Sequence, residues 1–144
     1  MIVSSPEVLL GSGIEKYIEP AVPTVSESAQ IDEVVEALKK SPSRVLYTIN
    51  PSGALSGVIT PGDLAKLNTD PKPTTAQQIA TKEKVIGVKP TAELWQLLKI
   101  MNGENAAGKN FDQLPVLDQD NKPIGIIIKN ALRDTLAAVQ IPIS

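Results

Sequence analysis

Two stretches lying 68 positions apart follow one pattern, Gly57-Val58-Ile59-Thr60-Pro61-Gly62-Asp63 and Gly125-Ile126-Ile127-Ile128-Lys129-Asn130-Ala131. Each opens on a glycine followed by two branched apolar residues, and each leads into a leucine, Leu64 and Leu132. The same shift lays residues 46–64 over 114–132 without a gap, so that Leu46 meets Leu114, Thr48 meets Val116, Ile49 meets Leu117 and Asn50 meets Asp118. A shift of 63 aligns the earlier part of each copy: Val25 with Val88, Ala29 with Ala92, Ile31 with Leu94, Val34 with Leu97, Val35 with Leu98 and Leu38 with Met101. The difference, 68 − 63 = 5, places five extra residues in the second copy, within the polar run 102–110, which reads as loop. A repeat of this period restricts the chain to two copies of one supersecondary unit. Polar groups at the strand-to-helix turn survive only in the first copy, as Thr60 and Asp63 against Ile128 and Ala131. That asymmetry points to a two-fold module with one good ligand site.

Each copy has the same grammar. A short strand (22–25, 85–88) precedes a polar stretch with an N-cap around Ser28 and at Thr91. Apolar residues then recur at i, i+3, i+4 and i+7 (Ile31, Val34, Val35, Leu38; Leu94, Leu97, Leu98, Met101), the stripe of an amphipathic helix facing a core. Ser41-Pro42 ends the first helix. A strand (44–49, 114–117), a turn (50–53, 118–121) and a returning strand (54–59, 123–128) follow. A last helix starts at Pro61 and near Asn130. The order is β-α-β-β-α, given twice, so the fold class is α+β. We expect an N-terminal extension over 1–15, repeats over 16–68 and 78–138, a linker over 69–77 and a tail over 139–144. Fifty to sixty residues is marginal for independent stability; packing the two sheets on each other would cover both apolar faces.

Composition removes whole classes of chemistry. There is no cysteine and no histidine, which excludes disulfides, thiolate catalysis, His-based triads and His metal sites in these 144 residues. No carboxylate cluster has metal spacing and no Gly-x-Ser-x-Gly elbow occurs, so neither a metal site nor an enzyme is expected. Net charge is −2, with no global pull toward nucleic acid or anionic membrane. No apolar run approaches the roughly 20 residues of a spanning helix, and no signal peptide is visible, so a cytoplasmic setting is expected. Aromatics are only Trp95, Phe111, Tyr17 and Tyr47, so the core must be aliphatic.

The closing Gly57-x-x-Thr60-x-x-Asp63, with Leu114-Pro115-Val116-Leu117-Asp118 as a central strand, resembles the tandem cystathionine β-synthase (CBS) domain pair, or Bateman module, over about residues 16–138. The resemblance implies two β-α-β-β-α repeats packed sheet to sheet with pseudo-two-fold symmetry. It also implies a regulatory adenine-containing ligand (AMP, ADP, ATP or S-adenosylmethionine) in a cleft between the repeats, no required cofactor, and a disk-shaped homodimer. A pair this bare would belong to a larger enzyme, channel, transporter or intramembrane protease. The alternative is a dimerisation scaffold with vestigial pockets.

The chemistry of the first turn is coherent with a ligand. A helix N-terminus offers free N–H groups and a positive dipole end to phosphate, to which the Thr60 hydroxyl could add. Asp63 could accept both hydroxyls of a ribose, Gly57 would permit close approach, and Val58 and Ile59 would line an apolar slot for the base. Pro61 suits the first helical position, and the whole turn also reads as plain capping. By resemblance, backbone over Ala21, Val22 and Pro23 would meet the adenine edge, and Arg44 would face phosphate, although a surface arginine fits equally. Tyr47 suits either stacking or core, and core is favoured. The second, weaker site would comprise Ile126, Ile127, Lys129, Asn130, Val85 and Ile86. There Asn130 reads better as a cap and Lys129 as an exposed lysine.

Overall fold

The computed structural model describes residues 10–41, 43–83 and 85–138. The expected tail (139–144), most of the N-terminal extension and Pro42 lie outside the described residues. A 3-10 turn at Glu15–Tyr17 is followed by β1 (Thr24–Ser26), α1 (Ile31–Lys40), β2 (Leu46–Ile49), β3 (Leu55–Ile59) and a 3-10 helix at Pro61–Asn68. Then come α2 (Ala76–Ile79), α3 (Leu94–Met101), β4 (Gln113–Leu117), β5 (Pro123–Ile128) and α4 (Lys129–Ala138). The repeat is thus visible as mixed α+β with two small sheets. In the first, β1 pairs parallel to β2 and β2 antiparallel to β3. The second is the β4–β5 hairpin.

The first strand of the second copy is the main departure from expectation. Residues 85–88 do not form a strand; Val88 alone makes a parallel bridge to Val116. Its N–H donates to Pro115 O at 3.0 Å and its carbonyl accepts from Leu117 N–H at 2.9 Å. Gly87 before it and Pro90 after it explain the shortness, because a strand interior is weakened by glycine and Pro cannot donate to a ladder.

The chain forms two compact units, and their contents do not follow the repeats. One, here the β1–β3 unit, comprises residues 22–85 with 120–123; the other, the β4–β5 unit, takes in the described parts of 1–21, 86–119 and 124–144. The segment leading into each repeat therefore belongs to the body of the other repeat. In the β1–β3 unit, Ala76, Ile79 and Ala80 are buried with Val34, Leu46 and Ile59. In the β4–β5 unit, Ile14 is buried with Leu94, Leu97, Leu114 and Ile127. The two arrangements match step for step. Gln30 bridges Thr75 and Glu93 bridges Gly13; Val58 bridges Thr81 and Ile126 bridges Glu19.

This exchange also explains why the helices start two residues later than the expected caps at Ser28 and Thr91. Gln30 and Glu93 are the N-caps. The first free N–H of each helix is satisfied by a carbonyl of the leading segment: Ile31 N–H donates to Thr74 O at 3.1 Å and Leu94 N–H to Ser12 O at 2.9 Å. A helix end needs its orphan donors satisfied, by remote groups or by its own side chains, and α3 uses both, adding a capping box of Glu93 and Gln96. Both amphipathic stripes face their cores as expected, with Val34 and Leu38 buried on α1 and Leu94, Leu97, Leu98 and Met101 on α3.

Candidate functional site

The strand-to-helix turn at Thr60–Asp63 lies in the β1–β3 unit. β3 ends at Ile59, Thr60 takes extended backbone as N-cap, Pro61 occupies the first helical position, and Thr60 and Asp63 form a capping box. The Asp63 side chain turns back so that Oδ2 accepts the Thr60 N–H at 2.9 Å and the Thr60 hydroxyl at 3.3 Å. Its other oxygen, Oδ1, accepts the Thr81 hydroxyl at 3.1 Å and lies 3.0 Å from Lys66 Nζ. Lys66 also donates to Ile79 O at 2.9 Å. Asp63 is 9% exposed, so this carboxylate is held inside the protein by four donors.

The other residues of the expected first site divide by burial. Ile59 is fully buried in the core of its unit and serves packing, leaving half-buried Val58 as the apolar residue at the surface. Tyr47 is buried, as favoured for it. Gly57 is buried, and what approaches it is protein: a Cβ there would stand 2.9 Å from Ala80 Cβ and from Thr48 Oγ1, and 3.1 Å from Thr81 O. Thr60 is half-buried and Pro61 exposed. Val22 and Pro23 lie half-buried in the same unit, and the Pro23 carbonyl accepts Tyr47 N–H at 2.9 Å, extending the β1–β2 ladder. Ala21 is exposed and falls in the other unit. Arg44 is exposed, with left-handed backbone at φ 57°.

The second turn differs from expectation at Lys129. It is not an exposed lysine but is 2% exposed, its Nζ donating to Asn102 Oδ1 at 3.3 Å and its N–H to Asp112 O at 2.8 Å. The longer loop of the second copy supplies both acceptors, and Asn102, which meets the ammonium, lets a long cation be buried where the first copy has Pro61. Asn130 is exposed, Ile126 and Ile127 are buried, and Val85 and Ile86 are half-buried. Val85 belongs to the β1–β3 unit and Ile86 to the other.

Lys66 and Thr81 did not figure in the sequence reading of the site. Lys66 carried a signal, an opposite charge three residues after Asp63 on one helix. Thr81 carried none, because its approach depends on the exchange of leading segments. Among the described residues, no group of His, Cys, Asp or Glu could hold a metal ion, and no helix is long and apolar enough to cross a membrane.

Comparison with known proteins places these features. An uncharacterised protein of Methanocaldococcus jannaschii is 25% identical over 115 residues, 79% of this chain; the chain spans about 40% of that relative's length. The crystal structure of CBSX2 in complex with AMP superimposes with a TM-score of 0.69 at 24% identity, covering 89% of this chain and 98% of that one. The CBS domain pair of protein MJ0100, in complex with 5′-methylthioadenosine and S-adenosyl-L-methionine, does so with a TM-score of 0.66 at 22% identity, covering 88% and 97%. At these identities the superpositions establish the fold. The CBS domain model matches twice, over residues 14–69 and 76–138, on the two copies that the turn motifs mark out. With most of its length inside those matches, the chain belongs to the CBS domain family as a tandem pair.

Proposed function

We propose that this chain is a regulatory module that senses an adenine nucleotide or a related adenosyl ligand and modulates a protein to which it is joined or docked. The observation that carries the reading is the Asp63 carboxylate, fixed at a strand-to-helix turn beside the Thr60 hydroxyl. The second copy has Ala131 and Ile128 in those positions. AMP, 5′-methylthioadenosine and S-adenosyl-L-methionine, the ligands of the two superimposed CBS structures, share an adenosine moiety. A carboxylate suits the ribose diol common to all three, and the N-terminus of the 3-10 helix at Pro61–Asn68 suits the phosphate of AMP. The reading is non-catalytic, and it includes the homodimer that the resemblance implies. Ligand would act by favouring one conformation over another, which the attached protein reads.

Titration calorimetry and thermal melting with AMP, ADP, ATP and S-adenosylmethionine test it. Ligand at a hundred times Kd adds about 2.7 kcal/mol to stability, several degrees of melting temperature for a chain of this size. No heat at millimolar ligand together with an unchanged melting temperature would exclude the reading. Asp63→Asn is expected to lower affinity ten-fold or more, on the order of 1.4 kcal/mol or above for a charge-assisted hydrogen bond lost. A second reading, a scaffold with vestigial pockets, draws on the four protein donors that already occupy Asp63. It predicts no ligand heat and an oligomeric state indifferent to Asp63→Asn.

A further inference from the structure

A carboxylate offers about four acceptor positions, two on each oxygen. On Asp63 all four are taken, Oδ2 by the main-chain N–H and hydroxyl of Thr60 and Oδ1 by Thr81 and Lys66. A ribose diol brings two more donors, so it can bind only by displacing two that are present. The Thr60 N–H belongs to the capping box and cannot leave without unwinding the helix start. The two donors on Oδ1 are side chains with somewhere else to go. Thr81 is exposed and its hydroxyl can turn to water, and the Lys66 side chain is 45% exposed.

We infer that Lys66 and Thr81 are internal competitors for the Asp63 carboxylate, and that a diol-bearing ligand binds by taking Oδ1 from them. This rests on the adenosyl-sensing reading above and adds the residues that set affinity and carry the signal. Both competitors report to the same place. Lys66 holds the Ile79 carbonyl, and Thr81 exchanges two main-chain hydrogen bonds with Val58, at 2.9 and 2.8 Å. Residues 79–81 lie within the second repeat's leading segment, which is built into the β1–β3 unit. Displacement at Oδ1 therefore loosens that segment's side-chain ties to the site, and the occupied and empty states differ in how firmly it is held. The second copy has no counterpart to this latch, because Ala131 stands where a carboxylate would be needed.

The test has two arms. In the ligand-free chain, Lys66→Met and Thr81→Val are expected to speed amide exchange at Thr81 and Val58 several-fold while leaving Val88 and Leu117 unchanged. Equal rates at Thr81 and Val58 overturn the latch whether or not any ligand binds. In titrations with AMP, each variant is expected to bind about three-fold more tightly than the natural chain, and the double variant about ten-fold, as befits a half-exposed ion pair and one hydroxyl hydrogen bond. Unchanged affinity or weaker binding overturns the competition, weaker binding making these side chains ligand contacts. If neither the natural chain nor any variant binds AMP or S-adenosylmethionine, the sensing reading fails, and the competition proposed on it fails too. The exchange arm then still decides whether Lys66 and Thr81 hold the segment.

Discussion

Gly57 and Gly125 are the residues that the duplication preserves most plainly, and the structure gives them one job. Each sits on a strand against which a foreign stretch of chain is laid. A Cβ at Gly57 would press on Ala80, Thr48 and the Thr81 carbonyl; one at Gly125 would overlap Ile18 and stand 2.9 Å from Glu19 O. The sequence suggested that Gly57 made room for a ligand, but the room is filled by the leading segment of the other repeat. Gly57→Ala should therefore cost about 1–3 kcal/mol, the usual range for overpacking a close contact. Gly62→Ala, five residues away, should fall within about 0.5 kcal/mol of the natural chain, because its Cβ would meet nothing nearer than Thr60 Oγ1 at 3.8 Å. Urea denaturation of the two variants measures the difference directly. Equal stabilities would mean that the crossing segment yields and that the glycine is dispensable.

At the scale of elements, the strongly periodic parts were legible and the exchanged parts were not. The stripe of Leu94, Leu97, Leu98 and Met101 specifies a helix and its buried face through spacing alone, and the bounds of β5 follow from a glycine-punctuated apolar run. The capping box of Thr60 and Asp63 was likewise readable, because its partners are three residues apart. What could not be read were the partners of the first N–H of α1 and α3, Thr74 and Ser12, and the burial of Lys129, which depends on a loop entering from 27 residues away. Local pattern carries no record of such partners. The loop's role at Lys129 yields a prediction. Lys129→Glu would bury a carboxylate against the Asn102 side-chain oxygen that now accepts the ammonium, for a loss of about 3 kcal/mol or more. In a chain of this size that is on the order of 10 °C in melting temperature. Asn130→Glu, exposed one residue later and at a helix N-terminus, should be neutral or slightly stabilising. A silent Lys129→Glu would return this lysine to the solvated surface that its sequence suggested.

For the whole molecule, the repeat is the unit of sequence but not of packing. A fragment cut at the family boundary, residues 14–69, keeps β1 to β3 but loses Ala76, Ile79 and Ala80 from its core. It also loses the Thr74 carbonyl that caps α1 and both main-chain bonds between Val58 and Thr81. Burial of one Ile side chain is worth about 1.5–3 kcal/mol and each net hydrogen bond about 1 kcal/mol. A domain of that size has roughly 3–8 kcal/mol of stability in all, so the missing segment is comparable to the total. The same fragment carries Ile14, Tyr17 and Ile18, whose packing partners lie in the β4–β5 unit. A fragment shifted to residues 20–85, similar in length, restores the leading segment and drops the orphaned one. We expect 20–85 to give a dispersed amide spectrum and a cooperative urea transition, and 14–69 to give neither. If 14–69 folds as well as 20–85, each repeat can close on its own leading segment, and the exchange is an option of the chain instead of a requirement of its core. If 20–85 folds and 14–69 does not, the core of the β1–β3 unit requires the leading segment of the second repeat. A change at residues 79–81 then reaches the second repeat through the unbroken backbone that leads from Thr81 to Ile86.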